Sequence, residues 1–295
     1  MNKVFSKIFV NRFRKVLIKL YGYEEYMEFL VVTSISGKKT LHYLPLLNYT
    51  DRQNIEDLLE LSKDNHYQIR ILNFEYKEFK ENEPVVMRIN IENKNSEEVF
   101  ENVKSRCRNK IRNSIKKNNF ILKKGNSDKF IDDFYHIFSK AMLKHGTPVF
   151  DKKLFIYLRD EFEEDNIYYI VYDNEKPIGA MCMLFDKEIV WYPWGGIDDS
   201  YSKSLVGYFI YWKVIEDIIN MKKYKIIDLG RSGYKMGTYH FKSQFGANPV
   251  KIDILKDKQD DIYSKYDFAI KIWQKLPLNV ANFMGAKLCK YLEDL

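Results

Sequence analysis

Residues 226–246 read IIDLGRSGYKMGTYHFKSQFG, and the fold turns on how this stretch divides into elements. Ile226, Ile227, Asp228 and Leu229 predict a short buried strand that stops at Gly230, followed by a polar turn of Arg231, Ser232 and Gly233. Gly237 and Thr238 restart the chain. Thr238 is placed to cap a short helix carrying Tyr239, Phe241, Lys242 and Phe245, which ends at Gly246 with Pro249 close behind. A strand end, a glycine-broken turn and a new helix together mark the place where open α/β sheets hold their chemistry. An acid, several cations, hydroxyls and aromatic rings converge there.

Moving toward the N-terminus, residues 203–220 predict a long helix with Leu205, Phe209, Trp212, Ile215, Ile218 and Ile219 on one side. Before it, residues 167–172, 178–185 and 189–194 predict a three-stranded meander, its turns at 173–177 and 186–188, broken after Trp194 by Gly195 and Gly196. Residues 127–142 and 152–162 predict two helices, and residues 119–124 a strand. After the opening stretch, a strand is expected at 250–255. The order is therefore β-α-α-β-β-β-α-β-α-β, an α/β chain with a mixed sheet. Residues 96–118 predict one helix capped by Ser96, with Val99, Val103, Cys107, Ile111 and Ile115 as its apolar stripe. Around that stripe stand Lys104, Arg106, Arg108, Lys110, Arg112, Lys116 and Lys117, which suit either phosphate contact or an ordinary solvated face. Residues 1–95 predict a smaller α/β unit with strands at 27–35, 40–47, 68–74 and 85–91 and a helix opening at Asp51.

Hydrophobic residues are 45% of the 295 and aromatic residues 16%, enough to bury a sizeable core and to exclude a disordered chain. The formal net charge of +7 favours an anionic partner. Cys107, Cys182 and Cys289 are far apart and lack any metal or disulfide spacing, so a reducing cytoplasm and no bound metal are expected. No apolar run reaches membrane-spanning length. The N-terminal stretch MNKVFSKIFVNRFRKVLIKLYG is basic and amphipathic, and suits a packed helix or a helix resting on an anionic membrane surface. The tail 280–292, with Val280, Phe283, Met284, Leu288 and Leu292 beside Lys287 and Lys290, leaves the same two readings open: docking onto the body of the protein or contact at the inner face of the membrane.

The order of elements resembles the GNAT acyltransferase fold. SRCRNKIRNSIKKNNF, DLGRS and GTYHFKSQFGANP, with its FK-x-x-FG pattern, together resemble the FemABX branch of that superfamily and its BioF2-like relatives, from about residue 96 to the end of the chain. The resemblance implies a GNAT-like domain over 96–255, a reduced GNAT-like half over 1–95 forming a tandem with it, and a helical tail over 256–295. It implies a cleft between the strand ending at Trp194 and the strand ending at Leu229. It also implies transfer of an acyl or aminoacyl group to an amine of a cell-envelope precursor of the peptidoglycan or polysaccharide kind. The donor would be aminoacyl-tRNA or acyl-CoA, the acceptor a nucleotide- or lipid-linked precursor. The family's pyrophosphate loop is replaced here by WGGIDDSYSKS, whose Asp198 and Asp199 oppose a coenzyme A pyrophosphate.

The Phe-Lys pair at the reaction centre of the peptidoglycan-type members corresponds to Phe241 and Lys242. Lys242 is the expected oxyanion donor, a role that Arg231 also fits. Arg231 equally suits the grip of a substrate phosphate or carboxylate. Asp228 either pairs with Arg231 to hold the turn or accepts a proton from the incoming amine. Tyr239 is a candidate proton relay, and Tyr192, Trp194 and Ser232 line the cleft. Two other functions fit the same residues: acyl-CoA-dependent acetylation of a small amine, and a non-catalytic protein that binds an anionic glycolipid.

Overall fold

The structure is a computed structural model that describes residues 4–43, 55–63, 65–256 and 267–292. Its N-terminal elements are α1 (Lys7–Tyr21), β1 (Glu24–Tyr26), β2 (Phe29–Thr33), β3 (Lys39–His42), α2 (Ile55–Leu61), β4 (Tyr67–Asn73) and β5 (Pro84–Asn90). Next come α3 (Ser96–Glu101), α4 (Ser105–Lys117), β6 (Ile121–Gly125), α5 (Asp128–His145), α6 (Lys153–Phe162), β7 (Asn166–Asp173), β8 (Lys176–Phe185) and β9 (Ile189–Ile197). The chain continues with α7 (Val206–Asn220), β10 (Ile226–Gly233), α8 (Gly237–Ser243), β11 (Asn248–Lys256), α9 (Asp267–Trp273) and α10 (Leu278–Leu288). The predicted strand end near Pro45 and helix start at Asp51 lie outside the described residues.

The chain forms two compact units. One holds residues 74–141 and 162–251, the other residues 4–73, 142–161 and 252–295. This division is not collinear with the partition at residues 95 and 255 suggested by the sequence. Strand β5 belongs with the domain that follows it, and helix α6 with the unit of the N-terminal strands.

The first unit carries the strand order β11-β5-β10-β9-β8-β7-β6. The β6–β9 meander is antiparallel throughout, whereas β10 runs parallel to β9 and antiparallel to β5, so the sheet is mixed. Its core lies where α7 crosses the sheet. Phe209, Ile210, Trp212, Val214 and Ile218 of α7 pack with Val85 and Met87 of β5, Val171 of β7 and Ile227 of β10, all nearly inaccessible to solvent. Burying one such side chain contributes about 1.5–3 kcal/mol. In the second unit the order is β1-β2-β3-β4 and then the end of β11, with Phe29, Leu41, Leu58, Ile69 and Ile71 as its core.

Several local expectations are corrected. The helix expected over 96–118 is two helices, and Asn95, not Ser96, caps the first through a reciprocal box with Glu98. After the break at residues 102–104 the buried line runs through Cys107, Ile111 and Ser114, and Ile115 is exposed. The helix predicted from Lys203 begins at Val206, because Leu205 takes a left-handed conformation with φ 64° after a 3-10 turn over Asp199–Ser204. Helix α8 begins at Gly237, after Met236, with no side-chain cap from Thr238. Gly195 and Gly196 do not break β9, which runs to Ile197. A Cβ at Gly196 would lie 2.7 Å from Ala141 Cβ, so the missing side chain lets α5 sit directly on the strand.

Candidate active site

Strand β10 does not stop at Gly230. It continues through Arg231 and Ser232 to Gly233, paired with Val86, Val85 and Pro84 of β5, after a bulge between Asp228 and Arg231. Gly230 has φ 76°, and a Cβ there would lie 2.8 Å from the Tyr192 carbonyl oxygen, so only glycine fits the bend. The parallel ladder between β9 and β10 covers Ile226–Asp228 against Ile189–Trp191 and ends there, although both strands continue. Two neighbouring strands therefore part at the bulge. At the bulge the Gly230 and Arg231 carbonyls are within reach of α8.

Lys242 takes up those carbonyls. Its Nζ donates to the Arg231 oxygen at 2.8 Å and to the Gly230 oxygen at 3.3 Å, and the residue is 8% exposed. Burial lowers its pKa from 10.5 to about 8; the Asp228 carboxylate opposes the shift and the Arg231 guanidinium adds to it. Two of the three N–H bonds of the ammonium are fixed by main-chain oxygens, which leaves one donor of defined direction.

Asp228 does not pair with Arg231 to hold the turn. It lies directly across the ladder from Arg88 of β5, whose Nε donates to its Oδ2 at 2.8 Å, and both side chains are fully buried. Its Oδ1 accepts the Gly230 N–H at 2.8 Å. Both oxygens are thus engaged in fixing the bend, which makes Asp228 a positioning residue rather than a proton acceptor. Arg88 escaped the reading of the sequence. The signal was present, since an arginine interrupts the apolar strand PVVMRIN at a position that must be buried.

The remaining expected residues divide. Arg231 projects its side chain to the exposed side of the bend, while its carbonyl accepts from Lys242 and from the Ser232 hydroxyl at 2.8 Å. The Ser232 hydroxyl is thereby committed to the backbone. Phe241 stacks edge-on against Tyr211 at 4.9 Å and Tyr208 at 5.3 Å, within a group that includes Phe245. Tyr239 packs on Tyr234 with ring centres 4.8 Å apart. Tyr192 meets Tyr211 on the α7 side, and burial pushes its phenol up to about 12. Trp194 packs against Trp191 and, two residues from Gly196, shares the α5 side of the sheet. A register shift in the β8–β9 ladder between the Cys182–Trp194 and Leu184–Trp191 pairs interrupts the alternation, so Tyr192 and Trp194 lie on opposite faces and do not form one wall.

Two further features adjoin the site. Lys110 of α4 donates to the Tyr208 hydroxyl at 2.9 Å, which ties the basic helix to the aromatic group around Phe241. The exposed cations Lys104, Arg106, Arg112, Lys116 and Lys117 lie along the same helix, and residues 102–127 contain no acid. Asp198, in the loop before α7, holds Ser200 through its backbone N–H and its hydroxyl and pairs with Lys176 at 3.4 Å. Among the described residues no group of three His, Cys, Asp or Glu side chains is placed to hold a metal ion.

Residues 104–243 match the family model described as an acetyltransferase (GNAT) domain. This stretch has a GNAT-like fold. No curated protein sequence matches the chain. Among solved structures it is similar to FemX, with 13% identity, a TM-score of 0.58, and coverage of 82% of this chain and 86% of FemX. It is similar to the C-terminal DUF2156 domain of a proposed lysylphosphatidylglycerol synthetase from Agrobacterium fabrum, with 10% identity, a TM-score of 0.53 and coverage of 83% and 90%. L-PGS from Bacillus licheniformis is similar at 8% identity and a TM-score of 0.52, over 89% of this chain and 97% of that one. At these identities the likeness shows the shared fold.

Proposed function

We propose that the protein transfers an acyl or aminoacyl group to an amine of a cell-envelope precursor, with Lys242 stabilising the oxyanion of the tetrahedral intermediate. The observation that carries this reading is the Lys242 ammonium, fixed by the Gly230 and Arg231 carbonyls where β9 and β10 part. A neutral acceptor amine attacks the donor ester carbonyl. A C–N bond forms, the carbonyl π electrons move to oxygen, and the third N–H of Lys242 meets the new charge. Collapse expels the donor's alkoxide, which takes up the proton lost by the amine. A preorganised donor of this kind is worth about 3–4 kcal/mol because the site needs no reorganisation as charge develops.

The donor we favour is aminoacyl-tRNA over acyl-CoA. The loop before α7 presents Asp198 and Asp199 where a pyrophosphate would need donors, and α4 offers a run of cations uninterrupted by acids beside the site. The acceptor is the amine of a nucleotide- or lipid-linked peptide or sugar, and Arg231 is the residue we assign to its anionic group. Phe241 and Tyr192 bound the reacting groups, and Tyr239, packed on Tyr234, relays the proton that leaves the amine. The test is transfer of a labelled amino acid from charged tRNA, or of a labelled acetyl group from acetyl-CoA, to an envelope precursor amine. Transfer from tRNA that Lys242→Met abolishes supports the reading. Transfer from acetyl-CoA alone replaces it with small-amine acetylation, and precursor binding without turnover replaces it with a non-catalytic role.

A further inference from the structure

Helix α10 turns its small residues inward and its large apolar residues outward. Ala281, Gly285 and Cys289 form the buried line, four residues apart. A Cβ at Gly285 would lie 2.7 Å from both the backbone nitrogen and the carbonyl oxygen of Val149, so the helix meets its neighbour backbone to backbone. On the other side Val280 is 42% exposed, Phe283 63% and Met284 40%. Their spacing places them on one stripe. Ile272 of α9, 49% exposed, is a further large apolar side chain left in solvent.

The charged side chains within residues 270–292 have one sign. Lys271, Lys275 and Lys287 are exposed, Lys290 is half-buried, and residues 270–292 include no aspartate or glutamate. Lys287 Nζ lies 4.1 Å from the centre of the Phe283 ring, which puts a cation at the base of the most exposed apolar group. Apolar side chains ringed by lysines match an anionic bilayer surface, where rings and thioethers enter the acyl boundary and ammonium groups meet phosphates. A second copy of the chain is a poorer occupant, because its own stripe is ringed by lysines and like charges would face each other. No helix among the described residues is long and apolar enough to cross a membrane, so contact through α10 lies in the plane of the surface.

We propose that α10 docks the protein on an anionic lipid surface through Val280, Phe283 and Met284. This stands apart from the acyl-transfer reading. The test is co-sedimentation of the full chain with vesicles of phosphatidylcholine alone and of phosphatidylcholine mixed equally with phosphatidylglycerol. Binding is expected to the mixed vesicles only. The double variant Phe283→Ser/Met284→Ser is expected to partition at least about tenfold more weakly, since both side chains leave the acyl boundary. Lys287→Glu is expected to weaken binding roughly fivefold or more and to make it less salt-dependent. Unchanged thermal unfolding shows that the variants fold, and an environment-sensitive dye on Phe283→Cys is expected to shift to the blue with mixed vesicles. The proposal is overturned if the parent chain does not bind, if the double variant binds as well as the parent, or if the parent is a dimer that the double variant converts to monomers.

Discussion

Lys242 carries its charge in a place where charge is costly. The fall from 10.5 to about 8 corresponds to about 3 kcal/mol against the buried ammonium. The folded pKa lies below the unfolded one, so between pH 8 and 10.5 the unfolded chain holds more protons, and stability from this group rises with pH across that window. Urea unfolding at pH 7 and pH 10 should show that rise in the parent and lose it in Lys242→Met, which is expected to be no less stable than the parent at pH 7. In the proposed mechanism, catalysis runs the other way. The ammonium is the form that donates to the oxyanion, so turnover should fall as pH passes about 8, and Lys242→Met should lower kcat about 10²–10³-fold with the falling limb gone. A rate that instead rises through pH 8 in step with Lys242 deprotonation would make the lysine a base. Asp228 offers a contrasting case. Asp228→Asn leaves Arg88 buried beside a neutral partner and should cost about 3–5 kcal/mol of stability in urea unfolding, with Asp228→Leu/Arg88→Met recovering most of it. Lys242 and Phe241 could be singled out because a motif marks them, but Arg88 lies 140 positions from its partner and nothing local in the chain announces the pair.

At the level of elements, the bulge in β10 controls the site. Gly230→Ala places a Cβ at φ 76° and against the Tyr192 carbonyl, which costs roughly 1–2 kcal/mol for the conformation before the clash is counted. Its melting temperature should drop, and its activity should drop further than that of a variant equally destabilised elsewhere, because the Gly230 and Arg231 carbonyls move with the bend. Apolar periodicity located most helices and strands within a few residues, since burial of one face imposes that period directly. It failed where backbone geometry decides. The glycine that reads as a stop at 230 is a bulge, Gly196 of the pair at 195–196 admits a packed helix rather than a turn, and the helix expected over 96–118 breaks where Lys104 donates its N–H to the Gln244 carbonyl. The exchange of Ile115 for Ser114 on the buried line of α4 follows from that break, which resets the helical phase.

For the molecule as a whole, the excess of basic residues has a location. The +7 charge is an average, but residues 102–127 concentrate cations on a helix linked by Lys110 and Tyr208 to the Phe241 group. If this face carries the donor's phosphates, Arg106→Glu/Lys116→Glu should weaken binding of charged tRNA. The slope of log affinity against log salt should then flatten by about 0.7–0.9 for each phosphate that the variant no longer neutralises, as measured by filter binding. The order of elements that makes the GNAT-like fold could be read from the sequence, whereas the two compact units could not, because β5 and α6 each join residues distant in the chain.

The holders of Lys242 are main-chain oxygens, and this separates two tasks that a site usually couples. Whatever side chain stands at position 231 supplies the same carbonyl, so the placement of the Lys242 ammonium does not depend on it. In the proposed reaction, recognition of a new acceptor can therefore evolve, or be engineered, by changing that one exposed side chain while the ammonium beneath it stays in place.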